Sequence, residues 1–460
     1  MTTVLDHTRL HRTAKYFMDN GRAQTHEDAM TMLRSFGLTI VAGPEVATSA
    51  SHQVALLTLV NAARRTFLGG VEVVGLPQAQ LLTPLARAES LSDAVRAFGA
   101  EVVAAGNGAW PYAFIGTCPA PESGNPAWQL TWQGWRGGVT PAHARTRLVE
   151  DSSNPLSAAL AAAVCAAELF AWHAKDHAMA GRRAAGLSLW QPDAAWLEDD
   201  ASEPSLAYLP SHLWLIGLGN LGQAFAWCLA CLPYGDRSKV EFLLQDYDDV
   251  AESNDSTSLL SSLGDVGAKK TRMVARWLEG LGFKTLLEER RFGAWTLRGP
   301  HDPAVALCGV DNAGTRADLG KANFELVVEI GLGAGTSGFR NFSMHSFPSS
   351  RTPEEIWSHH SAAVTPNVAS MPAYKTLAKS GIDACGLTQL ASRTVGVPFV
   401  GLIAAATSIA ETLRRLHGAD RFEFISGSAY NLDDIESGQL PFVPYSGGHV
   451  PACDANGRKR

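Results

Sequence analysis

Apolar and polar positions along this chain switch between two periods, and the switches mark out its elements. Leu213-Trp-Leu-Ile216 is a short apolar run that ends on Gly217-Leu-Gly-Asn-Leu-Gly222. Apolar residues then recur at helical spacing until a second run, Val240-Glu-Phe-Leu-Leu-Gln245, ends on Asp246-Tyr-Asp248. Strand, glycine turn, helix and strand predict a nucleotide-binding βαβ unit. Gly217, Gly219 and Gly222 would let the backbone turn tightly and approach a phosphate at the helix N-terminus. Asp246 stands where a carboxylate takes ribose hydroxyls. Alone, the pattern predicts only a nucleotide.

Earlier in the chain the same order recurs without the fingerprint. Residues 1–36 have helical spacing, and Leu38-Thr-Ile-Val-Ala-Gly43 reads as a strand. A helix is predicted from Val54 to Phe67, strands at Gly70–Gly75 and from Ala100, and a Trp- and Gly-rich β region from Trp128 to Gly138. After the glycine loop the periodicity predicts a helix from Ala268 to Leu281 and strands at Ala304–Val310 and Leu326–Gly331, a mostly parallel α/β sheet. Residues 345–396, with scattered Pro, Ser and His, have no clear period and read as an inserted loop-rich region.

Two segments match each other. Pro155-Leu-Ser-Ala-Ala-Leu-Ala-Ala-Ala-Val-Cys-Ala-Ala-Glu-Leu-Phe170 lies on Pro398-Phe-Val-Gly-Leu-Ile-Ala-Ala-Ala-Thr-Ser-Ile-Ala-Glu-Thr-Leu413 without a gap. Proline, three alanines, a later alanine and the glutamate coincide, and each segment closes a block opened by a βαβ pattern. This predicts an internal duplication, with one degenerate half and one that kept its glycine loop.

Composition narrows the classes. With 460 residues and 46% apolar content, two or three domains with real cores can form. A net charge of -7 and 18% charged residues argue against a nucleic-acid groove or a polybasic membrane anchor. The alanine-rich runs read as too short and too polar at their ends to span a bilayer. The first residues lack a basic-then-apolar leader. Seven cysteines without regular spacing point to a reducing, cytoplasmic setting. The one CxxC pair, Cys228 and Cys231, falls in the apolar helix after the glycine loop and reads as core rather than as half of a zinc site.

Further signals follow the glycine loop in a fixed order. These are Asp246-Tyr-Asp-Asp-Val-Ala-Glu-Ser-Asn254, then Gly267-Ala-Lys-Lys270, then Asp311-Asn-Ala-Gly-Thr-Arg316, and finally Cys385 before the closing helix. Singly each has a bland reading, as turn residues, solvated lysines or a small core side chain. As an ordered set they resemble the adenylating domain of ubiquitin-activating enzymes and their bacterial relatives of ThiF type, over about residues 210–420. The degenerate first half resembles the inactive adenylation fold that the eukaryotic enzymes pair with an active one. Similar tandem chains occur in bacterial ubiquitin-like conjugation operons, some associated with antiviral defence.

The resemblance implies two tandem Rossmann-like adenylation folds, the first degenerate and the second active, packed as an intramolecular pseudo-dimer in a monomer. Residues 1–185 would form the inactive domain and 186–210 a linker. Residues 211–344 and 397–430 would form the active domain, 345–396 the catalytic-cysteine region and 431–460 a tail. The reaction implied is ATP- and Mg²⁺-dependent adenylation of the C-terminal glycine of a ubiquitin-like protein. Thioester formation on Cys385 and transfer to a conjugating enzyme would follow. Asp311 would hold Mg²⁺, Lys270 the phosphates and Asp246 the ribose, with Asp248 and Asn254 lining the pocket.

Two departures matter. Where the family carries Arg-Gln after Ser-Asn, this chain has Thr257 and Ser258. The lost charge would come from Lys269, Arg272, or an arginine of the first half, with Arg12 nearest by position and Arg9 competing. The missing zinc cysteines point away from thiamine or molybdopterin synthesis and towards protein conjugation. Three alternatives stay open: adenylation of a peptide or sulfur carrier without a thioester, a nicotinamide-dependent oxidoreductase, and a scaffold-like pseudoenzyme. The oxidoreductase explains the glycine loop and Asp246 but not Ser253-Asn254, Lys270 or Asp311-Asn312.

Overall fold

The computed structural model describes residues 6–119, 124–358 and 370–453. Its first sheet contains β1 (Gly37–Ala42), β2 (Gly70–Val74), β3 (Glu101–Val103), β4 (Tyr112–Ile115), β5 (Ala127–Gln133), β6 (Arg136–Pro141) and β7 (Ala185–Ser188), in the order β3-β2-β1-β4-β5-β6-β7. After β8 (Tyr208–Pro210) the second sheet contains β9 (His212–Ile216), β10 (Glu241–Gln245), β11 (Lys284–Glu288), β12 (Val305–Cys308), β13 (Leu326–Leu332), β14 (Asn341–Phe347), β15 (Arg421–Ser428) and β16 (Asn431–Leu440). Its order, β11-β10-β9-β12-β13-β14-β15-β16, repeats the first and adds one edge strand. The pairing sense repeats as well: parallel through the fifth strand of each set, antiparallel beyond it. The parallel strands are near-continuous apolar runs, as strands covered on both faces must be.

Helices Ala50–Ala63, Pro155–Ala174, Asn220–Cys231 and Pro398–Leu416 pack on one another and against both sheets. The two segments matched in sequence are the two long helices of this layer, and they touch each other. Trp227 Nε1 donates to Thr58 Oγ1 at 3.0 Å, tying one half to the other. One apolar core runs through the helix layer from Leu10 to Ala452. Helix Pro155–Ala174, 20 residues containing an 18-residue stretch of mean hydropathy 1.6, is long and apolar enough to cross a membrane, which corrects the expectation of too short a run. Within the protein 94% of that stretch is buried, because alanines let neighbouring helices approach from every side.

Several predicted boundaries shift. The stretch expected to be a linker contains the end of β7 and buried Trp190 and Trp196, and β8 pairs with β17 (His449–Pro451). Residues 431–440 form the edge strand β16 rather than a tail. The region expected to be irregular carries helices Pro353–Trp357, Pro372–Lys379 and Ala384–Ser392; its residues 359–369 lie outside those described. Each helix is too short for its apolar stripe to repeat, which hid it from the periodicity.

Candidate active site

The glycine loop links β9 to helix Asn220–Cys231. Gly217 has φ +82°, a left-handed conformation that disfavours a side chain, and a Cβ on Gly222 would lie 1.9 Å from Gly217 O. Gly219 caps the helix with no side chain, and a Cβ there would meet nothing within 4 Å. The helix therefore opens with uncapped N–H groups facing free space, the arrangement that takes a phosphate.

Asp246, at the end of β10, is 9% exposed and braces this loop. Its Oδ2 accepts from Leu218 N at 2.6 Å and its Oδ1 from Asp248 N at 2.8 Å. Each carboxylate oxygen keeps a second lone pair for a ribose hydroxyl. Lys270 opens helix Lys270–Gly280, largely buried, with Nζ 2.8 Å from Asp248 Oδ2. Asn254 turns inward on the backbone, its Oδ1 accepting from Ala251 N at 2.8 Å. Asp311 follows β12, is exposed, and makes no hydrogen bond or ion pair among the described residues. Its neighbours are structural: Asn312 caps helix Ala313–Ala317, and buried Arg316 donates from Nε to Val310 O at 2.8 Å. A carboxylate without a partner among the described residues, beside an open phosphate cradle, fits a site for a divalent cation bound with a nucleotide.

Three parts of the chain meet beside this loop. Arg12, from the first half, donates from its backbone N to Ser256 Oγ at 3.1 Å. Its guanidinium donates from Nε to Thr394 O at 2.7 Å and from Nη2 to Thr394 Oγ1 at 2.9 Å. Gly396 packs so tightly there that a Cβ would sit 2.7 Å from Thr257 Cγ2 and 3.4 Å from Arg12 Cβ. Asn220, the first residue of the glycine-loop helix, donates from Nδ2 to Val397 O at 3.1 Å. Burial and the nearby positive charge of Arg393 lower the Arg12 pKa to about 10, while Asp311 opposes the shift. The segment 394–397 leads directly from the helix that carries Cys385 near its N-terminus. Of the seven cysteines, only Cys385 is exposed. It lies on a helix capped by Asp383, not on the loop expected.

The structure also disposes of the other candidate cations. Lys269 pairs with Asp249 at 2.9 Å, Arg272 with Glu289 at 2.8 Å and Arg9 with Glu252 at 3.2 Å. Thr257 and Ser258 are buried, their hydroxyls 3.2 Å apart.

Sequence reasoning passed over two supports. Gln223 is fully buried and ties the glycine loop to residues 260–261: Oε1 accepts from Leu260 N and Ser261 N, both at 2.9 Å, and Nε2 donates to Leu218 O at 3.1 Å. Arg65, from the first half, donates to Asp255 O at 2.6 Å, Ser261 O at 3.0 Å and Leu259 O at 2.7 Å. A lone glutamine in an apolar helix and an arginine doublet closing another were the available signals.

The equivalent turn of the first half is filled. Glu45 accepts from Thr117 N at 2.9 Å and from Thr117 Oγ1 at 2.5 Å, with Arg147 at 3.6 Å. Burial raises the Glu45 pKa, but the Thr117 bonds and Arg147 outweigh it and hold the carboxyl down to about 2. An internal carboxylate thus occupies the turn that matches the glycine loop.

The topology and the glycine loop define a Rossmann-like chain with a nucleotide-type phosphate cradle in its second half. The BilD N-terminal domain family matches residues 37–189 and the BilD C-terminal domain family residues 209–419. A protein of Collimonas sp. (strain OK412), named bacterial E1-like protein BilD, is 58% identical over 452 residues, 98% of each chain. The chain belongs to the BilD family of bacterial E1-like proteins. Among solved structures, E. coli MccB aligns at 13% identity with a TM-score of 0.33, covering 51% of this chain and 63% of that one. MccB with ATP aligns at 14% identity and 0.34, covering 51% and 65%. The aligned part is thus less than two thirds of either MccB chain.

Proposed function

We propose that the chain activates a ubiquitin-like protein. The carrier's C-terminal glycine carboxylate attacks the α-phosphorus of ATP, pyrophosphate leaves, and the acyl-adenylate forms. The Cys385 thiolate then attacks the acyl carbon, AMP leaves, and a thioester remains for transfer to a conjugating enzyme. Asp311 is the residue to hold Mg²⁺, which would neutralise phosphate charge. Lys270 and the helix N-terminus at Gly219 hold phosphate oxygens, and Asp246 fixes both the loop and the ribose. The two halves act as an inactive and an active adenylation unit within one chain, an internal pseudo-dimer. A role in a bacterial antiviral conjugation system belongs to this proposal on the strength of the tandem resemblance.

The observation that supports the reading best is the junction at Arg12: first half, Ser256 turn and Cys385 segment are bonded together beside the glycine loop. An oxidoreductase has no need of that junction. The test is incubation with a candidate carrier, ATP and Mg²⁺, followed by a non-reducing gel. A thiol-labile adduct that Cys385→Ala abolishes, while pyrophosphate release persists, is the expected result. Pyrophosphate release without any adduct would leave a peptide- or carrier-adenylating enzyme, and the absence of both release and adduct would defeat the proposal.

A further inference from the structure

The pocket edge at Thr257 and Ser258 contributes no charge, and Arg9, Lys269 and Arg272 around it are committed to carboxylates. Arg12 and Arg393 are different. Arg12 spends Nε and Nη2 on Thr394 and pairs with no carboxylate at bonding distance among the described residues. Arg393 precedes Thr394, is exposed, and its side chain makes no hydrogen bond or ion pair among the described residues. Because Arg12 is bonded to the residue that Arg393 precedes, the two cations are neighbours; the charge of Arg393 disfavours the charged form of Arg12, and that of Asp311 favours it. Neighbouring cations held in this way, one of them fixed by the chain, favour an anion that accepts from both.

The strand order indicates which anion. β9 lies between β10 and β12, so Asp246 and Asp311 flank the glycine loop on opposite sides. With the ribose at Asp246 and phosphates over the loop, the far end of the polyphosphate points towards Asp311, Arg12 and Arg393. We propose that Arg393, beside Arg12, binds the pyrophosphate end of ATP and replaces the Arg-Gln pair this chain lacks. The inference rests on the adenylating reading. It assigns the grip on the leaving group to the residue that ends the Cys385 helix.

The test is binding of AMPCPP and of AMP, each with Mg²⁺, to the full chain and to its Arg393→Ala and Arg393→Lys variants. Arg393→Ala weakens AMPCPP by about tenfold, the scale of one charge-assisted contact, and leaves AMP unchanged; Arg393→Lys recovers most of the loss. A loss for AMPCPP below about fivefold, or an equal loss for both nucleotides, overturns the inference. Wild-type protein that fails to bind AMPCPP overturns the adenylating reading itself, which separates the two failures.

Discussion

Gln223→Leu isolates the support beneath the glycine loop. Leucine matches the buried volume, yet it removes the acceptor for Leu260 N and Ser261 N, both at 2.9 Å, and the donor to Leu218 O at 3.1 Å. Gln223 is fully buried, so water cannot take over these bonds without opening the helix–loop contact. Each abandoned backbone group costs about 1–3 kcal/mol. Three of them, less roughly 1 kcal/mol for the added apolar burial, give a loss of about 2–8 kcal/mol. That is a large share of a typical total of about 5–15 kcal/mol. Urea unfolding followed by tryptophan fluorescence reads it as a lower midpoint at unchanged slope. Because Leu218 also holds the loop, nucleotide affinity falls even where the variant is fully folded. A midpoint shift worth less than about 1 kcal/mol, with nucleotide binding intact, would refute the reasoning.

Gly222→Ala forces a methyl to within 1.9 Å of Gly217 O, so the loop must open and ATP–pyrophosphate exchange should disappear while the sheets stay folded by circular dichroism. Unimpaired exchange would mean that the loop does not hold the phosphates. Glu45→Gln tests the plugged turn through pH. A carboxyl held at about 2 against an ordinary 4.5 stabilises the fold above pH 4.5, and this contribution is lost as pH falls towards 2. The variant is therefore less stable than wild type at neutral pH, with the gap closing across that window; a pH-independent gap contradicts the assignment.

Much of the fold was legible because it is built from local patterns. The parallel strands are long apolar runs, and the duplicated helices carry the same proline, alanines and glutamate at both ends of the chain. The motif residues Gly217, Asp246, Lys270 and Asp311 follow one another at strand and helix ends, where spacing alone suggests a shared site. The short helices of 345–396 and the edge strand β16 were not legible: too few turns for a period, and a polar strand with one face to solvent. Nor could spacing show that Asn254 is spent on its own turn, or that Lys269 and Arg272 are neutralised by Asp249 and Glu289.

What the sequence determined by itself was the repeated order of strands and helices and the chemistry of the loop, since both depend on neighbours a few residues apart. What only the tertiary structure decided was the company that loop keeps. Arg12, Arg65 and Thr394 come from parts of the chain separated by as many as 382 residues, and both arginines are held by carbonyls and hydroxyls with no sequence signature. A hydrogen bond from a side chain to a distant backbone carbonyl leaves no mark on the order of residues; it exists only after the two halves have packed.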